Sequence, residues 1–392
     1  MRKLRLAGIW LLLLCLLTGC QGGAAAAEDS PAVEVEAAAS EVPAVTDAPV
    51  DGMLTVYYLD VGEGNAALIE SQGHFMLVDG GDRDYSSKVV AVLKSFGVET
   101  LDYVIVSHFD ADHLNGIVGA LHVFPVDTVL APDYTADTNI YRSYVSIMQE
   151  KGLAAVTPQV GDAFAFGDAS FTVVGPTRYD HADVNDNSIA IRLVFGGNSF
   201  LFTGDAEAGS ESEILSTGQD LDVDVLEAGH HGSDSSTSQG LLDAASPEAV
   251  VVSCGAGNSY GHPAQAVMER LQAKGVTLFR TDVQGDISVT SDGVNLTWNA
   301  EPTTDWSYGS GGTDRGAEDA VAEDTWDDSV KYDSVGDTNT SAAYILNTHT
   351  RKFHLPDCPS AEKISVKNYA ESNESRDQLI AEGYSPCGNC KP

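Results

Sequence analysis

Positive charge is what this sequence lacks most. Its 392 residues carry 21 Lys and Arg against 58 Asp and Glu, a formal net charge of −37. A protein that coats a polyanion by neutralising its phosphates displays a basic stripe; none is visible here, which argues against a simple nucleic-acid-coating role. Enzymes that handle phosphates through bound cations remain open, because a metal supplies positive charge locally. Long apolar runs are equally scarce. Beyond the first twenty residues nothing approaches the roughly 20 apolar residues that a spanning helix requires. With 43% hydrophobic and 20% charged residues, the chain is neither collagen-like, nor a coiled coil, nor wholly disordered. Its length provides for about two or three domains with at least one large core.

The opening residues 1–20, MRKLRLAGIWLLLLCLLTGC, place Arg2, Lys3 and Arg5 before a short apolar stretch, the layout of a secretory signal. The ending Leu17-Thr18-Gly19-Cys20 resembles a bacterial lipobox. That implies cleavage before Cys20, lipidation of its thiol and an extracytoplasmic protein anchored to the cell membrane; the alternative is an ordinary signal peptide cut nearby. Residues 21–52, rich in Ala, Glu, Val and Pro, read as a flexible spacer. Ordered structure is expected over 53–300. Strand patterns fall at 54–60, 66–70 and 75–79, and a helix is expected over 86–96, where Val89, Val90, Leu93 and Phe96 share a face. A Val/Ile-rich buried strand follows at 101–107. Later strands are expected near 170–175, 188–195, 199–203, 222–227, 248–253, 276–281 and 294–298, with helices near 141–151, 207–216 and 263–274. Strands interleaved with helices predict one α/β domain of layered sheets. This core holds 10 basic and 34 acidic residues, or −24. Residues 301–342 read as an acidic linker, and 343–392 as a small module with six basic and six acidic residues.

The densest chemistry is Ser107-His108-Phe109-Asp110-Ala111-Asp112-His113, directly after the 101–107 strand. In an extended turn alternate residues point the same way, so His108, Asp110 and Asp112 converge, with His113 beside them. Imidazole plus carboxylate is the ligand set of zinc, manganese or iron. The pattern of strand then polar cluster recurs at Asp79-Gly80-Gly81, Gly204-Asp205, Gly229-His230-His231-Gly232-Ser233 and Asn258-Ser259-Tyr260-Gly261-His262-Pro263. Each is weak alone, since Gly-Asp after a strand is commonly a turn. Together they put carboxylates and imidazoles at the strand ends of one fold.

His-x-Asp-x-Asp-His after a strand, with Asp-Gly-Gly before it and Gly-Asp after it, resembles the metallo-β-lactamase superfamily. More narrowly, the chain is similar to the hydrolase domain of ComEC-like competence proteins. The carrying motifs are Leu59-Asp60-Val61-Gly62, Ser107 to His113, Asn187-Ser188, Thr203-Gly204-Asp205, His230 to Ser233 and His262-Pro263. The resemblance covers roughly residues 53–300 and implies an α/β fold, a four-layer αββα sandwich with two divalent metal ions, zinc or manganese, at one edge. It implies His108 and Asp110 at the first metal, Asp112 and His113 at the second, and Asp205 bridging both. His230 is the choice for a further ligand, His262 a ligand or a phosphate-contacting donor, and Asp79, Asn187 and Ser188 lie behind the ligands. Three departures stand out. Asp110 replaces the His usual in the wider superfamily. The separate third-motif His has no clear counterpart, with Asn187 or His181 where it would be sought. Glu63 and Asn65 stand where ComEC-like domains usually carry Gln and Asp.

Two cations about 3.5–4 Å apart can share a hydroxide that attacks phosphorus or an ester carbonyl. No Ser or Cys nucleophile is then needed, and Cys254 reads as a buried strand-end residue. Asp112, His230, His231 and His262 are the catalytic candidates, the imidazoles as proton donors to the leaving group. In the terminal module, His354-x3-Cys358 and Cys387-x2-Cys390 supply four soft ligands, which suits a structural zinc site. A disulfide is the rival outside the cytoplasm. This stretch is similar to small modules appended to secreted bacterial nucleases. The leading expectation is therefore a membrane-tethered dinuclear metal phosphodiesterase acting on DNA or RNA, without a nucleotide cofactor. The alternatives are a hydrolase of a cell-envelope phosphodiester or small ester or lactone, and a non-catalytic binding module.

Overall fold

The computed structural model describes residues 52–309 and, in part, 344–387. The expected signal, lipobox and spacer, and most of the acidic linker, lie outside the described residues. The elements before residue 160 are β1 (Leu54–Tyr58), β2 (Ala67–Ser71), β3 (His74–Val78), α1 (Ser86–Ser95), β4 (Leu101–Ile105), α2 (Ala111–Val123), β5 (Val126–Leu130), α3 (Asn139–Lys151) and β6 (Ala155–Val156). After it come β7 (Ala163–Phe166), β8 (Ala169–Gly175), β9 (Ala190–Phe195), β10 (Asn198–Phe202), α4 (Ala208–Ser216), β11 (Val225–Glu227), α5 (Gln239–Ala245), β12 (Ala249–Val252), α6 (Gln265–Lys274), β13 (Thr277–Arg280), β14 (Ile287–Ser291) and β15 (Leu296–Trp298).

Side-chain alternation sorts these strands into layers. Along β3, Met76 and Val78 face one way into a core shared by both sheets, while Phe75 and Leu77 face α1, α2 and α3. In β12, Ala249 and Val251 join the shared core, and Val250 and Val252 pack beneath α4, α5 and α6. Strands buried on both faces read as continuous apolar runs, as these do. The result is helix, sheet, sheet, helix. One sheet has eight strands in the order β15-β14-β1-β2-β3-β4-β5-β6, the other seven in the order β13-β12-β11-β10-β9-β8-β7. Strands β3 to β6 run parallel, as do β10 to β13. Their carboxyl ends are where open α/β sheets present ligand-binding loops.

Beyond elements that the sequence did not suggest, among them β5, β7, β14 and α5, two segments differ from expectation. The segment from Ala111 is the first turn of helix α2, with Asp110 as its N-cap, and not an extended turn. Residues 301–309, expected as the start of the linker, run along the core. There the Thr303 N–H donates to Leu278 O (2.9 Å), and the Arg280 guanidinium donates to the carbonyls of Asp305 and Ser307 (3.1 and 2.5 Å). The terminal module contributes a small four-stranded sheet from Tyr344–Asn347, Lys352–His354, Tyr369–Ser372 and Ser385–Pro386.

Candidate metal centre

Five strand ends deliver the polar clusters. Asp79 follows β3, His108 follows β4, Asp205 follows β10, His230 and His231 follow β11, and the loop carrying His262 follows β12. Local backbone choices aim them. Asp79 turns in the left-handed region (φ 55°), and the next residue touches α2 so closely that the Gly80 N–H donates to His113 O at 2.7 Å. A Cβ on Gly116 would sit 1.9 Å from Gly80 O, so the crossing admits glycine only. His230 and His231 are also left-handed (φ 49° and 55°), a conformation that costs non-glycine residues and is retained where the surroundings enforce it. This double twist turns both imidazoles back toward Asp205.

Asp205 Oδ2 stands among four imidazoles: His113 Nε2 at 3.2 Å, His231 Nε2 at 3.4 Å, His230 Nε2 at 3.6 Å and His108 Nε2 at 3.9 Å. Asp112 Oδ2 approaches His231 Nε2 at 3.3 Å, and Asp110 Oδ2 approaches His108 Nε2 at 3.7 Å. The ligand atoms of Asp112, His113, Asp205 and His231 all lie within 4.8 Å of one another. His231, assigned to proton transfer from the sequence, thus occupies the tightest group. His230, the residue chosen there as further ligand, flanks it.

Every imidazole is held from behind through Nδ1, which leaves Nε2 forward. His113 Nδ1 lies 2.9 Å from Asp79 Oδ2, and Asp79 in turn accepts from the Ser107 N–H (2.8 Å) and hydroxyl (2.7 Å). His231 Nδ1 is 3.2 Å from Ser253 O, and His108 Nδ1 is 3.1 Å from Ser107 Oγ and 3.4 Å from Ser188 Oγ. His230 Nδ1 lies 3.5 Å from Glu207, and His262 Nδ1 is 2.6 Å from Glu63. Supports of this kind fix the tautomer and raise ligand basicity. Glu63, Glu207 and Ser253 were not foreseen in these roles. The Glu63 contact spans 199 residues, and no spacing rule reaches that far.

Other expected residues lie one step out. Ser188 Oγ accepts from the Asp205 N–H (3.1 Å). Asn187 ties its own loop, accepting from the His181 N–H and donating to the carbonyls of Asp183 and Val184. His181 pairs with Arg178 and Glu213 instead of the centre.

Burial works against charge on His113 and His231, yet the surrounding carboxylates, Asp205 foremost, hold both pKa values well above the ordinary imidazole range. Asp205 is likewise buried, but His113, His231 and His230 keep it well below the carboxylate range. His108 goes the other way, pushed down by burial and by neighbouring His113. The carboxylates of this cluster favour positive charge at its centre, as a cation-binding site does.

Among the described residues, His108 Nε2, His113 Nε2, His231 Nε2 and Asp205 Oδ1 are buried without a hydrogen-bond partner. Orphaned buried polar atoms are costly and rare. Four on one cluster of nitrogen and oxygen donors fit divalent cations. In the terminal module, the ligand atoms of His354, Cys358 and Cys387 also lie within 4.8 Å of one another; Cys390 lies outside the described residues.

A family model described as the metallo-beta-lactamase superfamily matches residues 59–256, half of the chain, and the chain belongs to that superfamily. Within it, the similarity runs to competence proteins. The chain is 28% identical over 247 residues to ComE operon protein 3 of Bacillus subtilis, covering 58% of this chain and 32% of that protein. It is 32% identical over 228 residues to the competence protein ComA of Neisseria gonorrhoeae, covering 58% and 30%. Recombination protein 2 of Haemophilus influenzae matches at 32% identity over 236 residues, 59% and 28%. The chain thus spans about a third of the length of these relatives.

Proposed function

We propose that this protein is a dinuclear metal-dependent phosphodiesterase that acts on DNA or RNA outside the cytoplasm, tethered to the membrane through Cys20. The observation that carries the reading is the set of buried, unpartnered imidazole and carboxylate atoms around Asp205. His108 and Asp110 would hold one cation, Asp112, His113 and His231 the other, with Asp205 between them. When bound, such ions lower the pKa of water toward 7 and offset charge developing on a phosphoryl group. The chain's own residues do the rest. Asp79, Ser107 and Ser253 keep the imidazoles in one tautomer and orientation. His230 and His262, each backed by a glutamate, have Nε2 atoms to place a proton on a phosphoryl or leaving-group oxygen.

The nucleic-acid substrate draws support from the competence and recombination proteins that the chain resembles. Residues 53–300 would be the hydrolase, 21–52 and 301–342 its connectors, and the terminal module a zinc site built on His354, Cys358, Cys387 and Cys390. One observation favours a second reading, a phosphodiester of the cell envelope: the core's charge of −24 repels a polyanion. Incubating the metal-loaded protein with single-stranded DNA, with RNA and with an envelope phosphodiester, each with and without EDTA, separates them. EDTA-sensitive cleavage of DNA or RNA is the expected outcome. Hydrolysis of the envelope substrate alone would support the second reading.

A further inference from the structure

The loop after β12 is locked in place by Asn258. Its Oδ1 accepts from the N–H groups of Tyr260, Gly261 and His262 (3.1, 2.9 and 3.0 Å), and its Nδ2 donates to the carbonyls of Gly255 and His262 (2.9 and 2.6 Å). His262 is 6% exposed, and Glu63 grips it through Nδ1 while accepting from the Gly255 N–H (3.0 Å). Its ring lies 5.7 Å from that of His230 and 6.2 Å from that of His231, so it borders the metal centre. The Tyr260 ring is stacked with it, with centroids 5.8 Å apart and planes 16° from parallel. Tyr260 itself is 63% exposed, the most exposed large aromatic among the described residues. A tyrosine backed by a fixed ring, on a fixed loop, beside the centre and open to solvent, has little freedom left to lose on binding.

The geometry points to a role that the mechanism leaves unfilled: Tyr260, backed by His262, is a stacking platform for an unpaired nucleobase of a single strand whose phosphodiester lies at the metal centre. The inference rests on the phosphodiesterase reading and names its substrate class. Stacking answers the charge problem. With 34 acidic and 10 basic residues the core cannot gain affinity by neutralising many phosphates, whereas an aromatic face attracts any base regardless of charge. One such contact contributes roughly tenfold or more in affinity and is indifferent to sequence. A duplex hides the base faces, so the platform selects single strands.

The test is fluorescence anisotropy with the full chain, using labelled (dT)12 and a labelled 12-mer of abasic deoxyribose phosphates, in EDTA and in Mn2+. Cleavage of both strands is followed in parallel. The wild type is expected to bind (dT)12 about tenfold or more tighter than the abasic strand. Tyr260→Ala should erase that gap and Tyr260→Phe should keep it, with circular dichroism and metal content showing both variants folded and loaded. A gap that survives in Tyr260→Ala, or no gap in the wild type, overturns the platform. The two readings fail separately: a Tyr260-dependent gap without cleavage in Mn2+ would support the platform and count against the phosphodiesterase, whereas cleavage that ignores Tyr260 would do the reverse.

Discussion

Glu227 closes β11 behind the imidazoles, its carboxylate accepting from the Ser253 hydroxyl at 2.7 Å. Burial pushes its pKa from 4.5 up to about 7, against hydrogen bonds from Ser253 and Asn65. A carboxyl raised on folding holds a proton that the unfolded chain has already released. Stability from this group is therefore full below pH 4.5 and lost as pH rises toward 7 and beyond. The loss amounts to about 3 kcal/mol by the usual conversion of pKa units to free energy. In EDTA, Glu227→Gln should gain that much on the wild type between pH 4.5 and pH 8 in urea unfolding. Parallel pH profiles for the two proteins would show that the carboxyl is not so perturbed. Glu227 also marks a limit of the sequence, where it is one more acidic residue among 58. The ligands were more legible than their supports. His108, Asp110, Asp112 and His113 lie within six residues, and Asp205 sits in a Thr-Gly-Asp turn. By contrast, Glu63 reaches His262 only through the folded chain, and the balance between His230 and His231 is set by two left-handed backbone positions.

At the scale of elements, α2 was the main omission. Gly116 and Gly119 interrupt its pattern, and glycine inside a helix costs about 1 kcal/mol relative to alanine. Packing accounts for both glycines. A Cβ on Gly119 would meet Ser86 Oγ at 2.4 Å, and one on Gly116 would strike Gly80 O. The helix sacrifices propensity to bring His113 against the Asp79 turn. Gly116→Ala should thus lower stability by about 1–3 kcal/mol despite alanine's better helix propensity, as overpacking does. Thermal unfolding reads this as a fall in Tm, and a rise would contradict the close crossing. The strands were easier to anticipate: β3 and β12 are apolar runs between turn residues and β8 alternates, whereas β6, at two residues, is too short to hold a pattern.

For the whole molecule, the parallel strands of both sheets point their carboxyl ends to one edge, and this alone assembles residues from 79 to 262. Strand and helix alternation indicated layered sheets, and the four-layer order came with the family resemblance. The edge's contents followed from a resemblance whose motifs keep their order along the chain. The acidic surface that argued against a polyanion partner is compatible with a centre that carries its positive charge as bound ions. The most direct test of that centre is the metal stoichiometry of the full chain and of Asp205→Asn, each dialysed against Mn2+ or Zn2+ and measured by mass spectrometry. Comparing the two cancels any ion held at His354, Cys358 and Cys387. The wild type should retain at least one more ion per chain than the folded variant; equal stoichiometry in both would contradict the account.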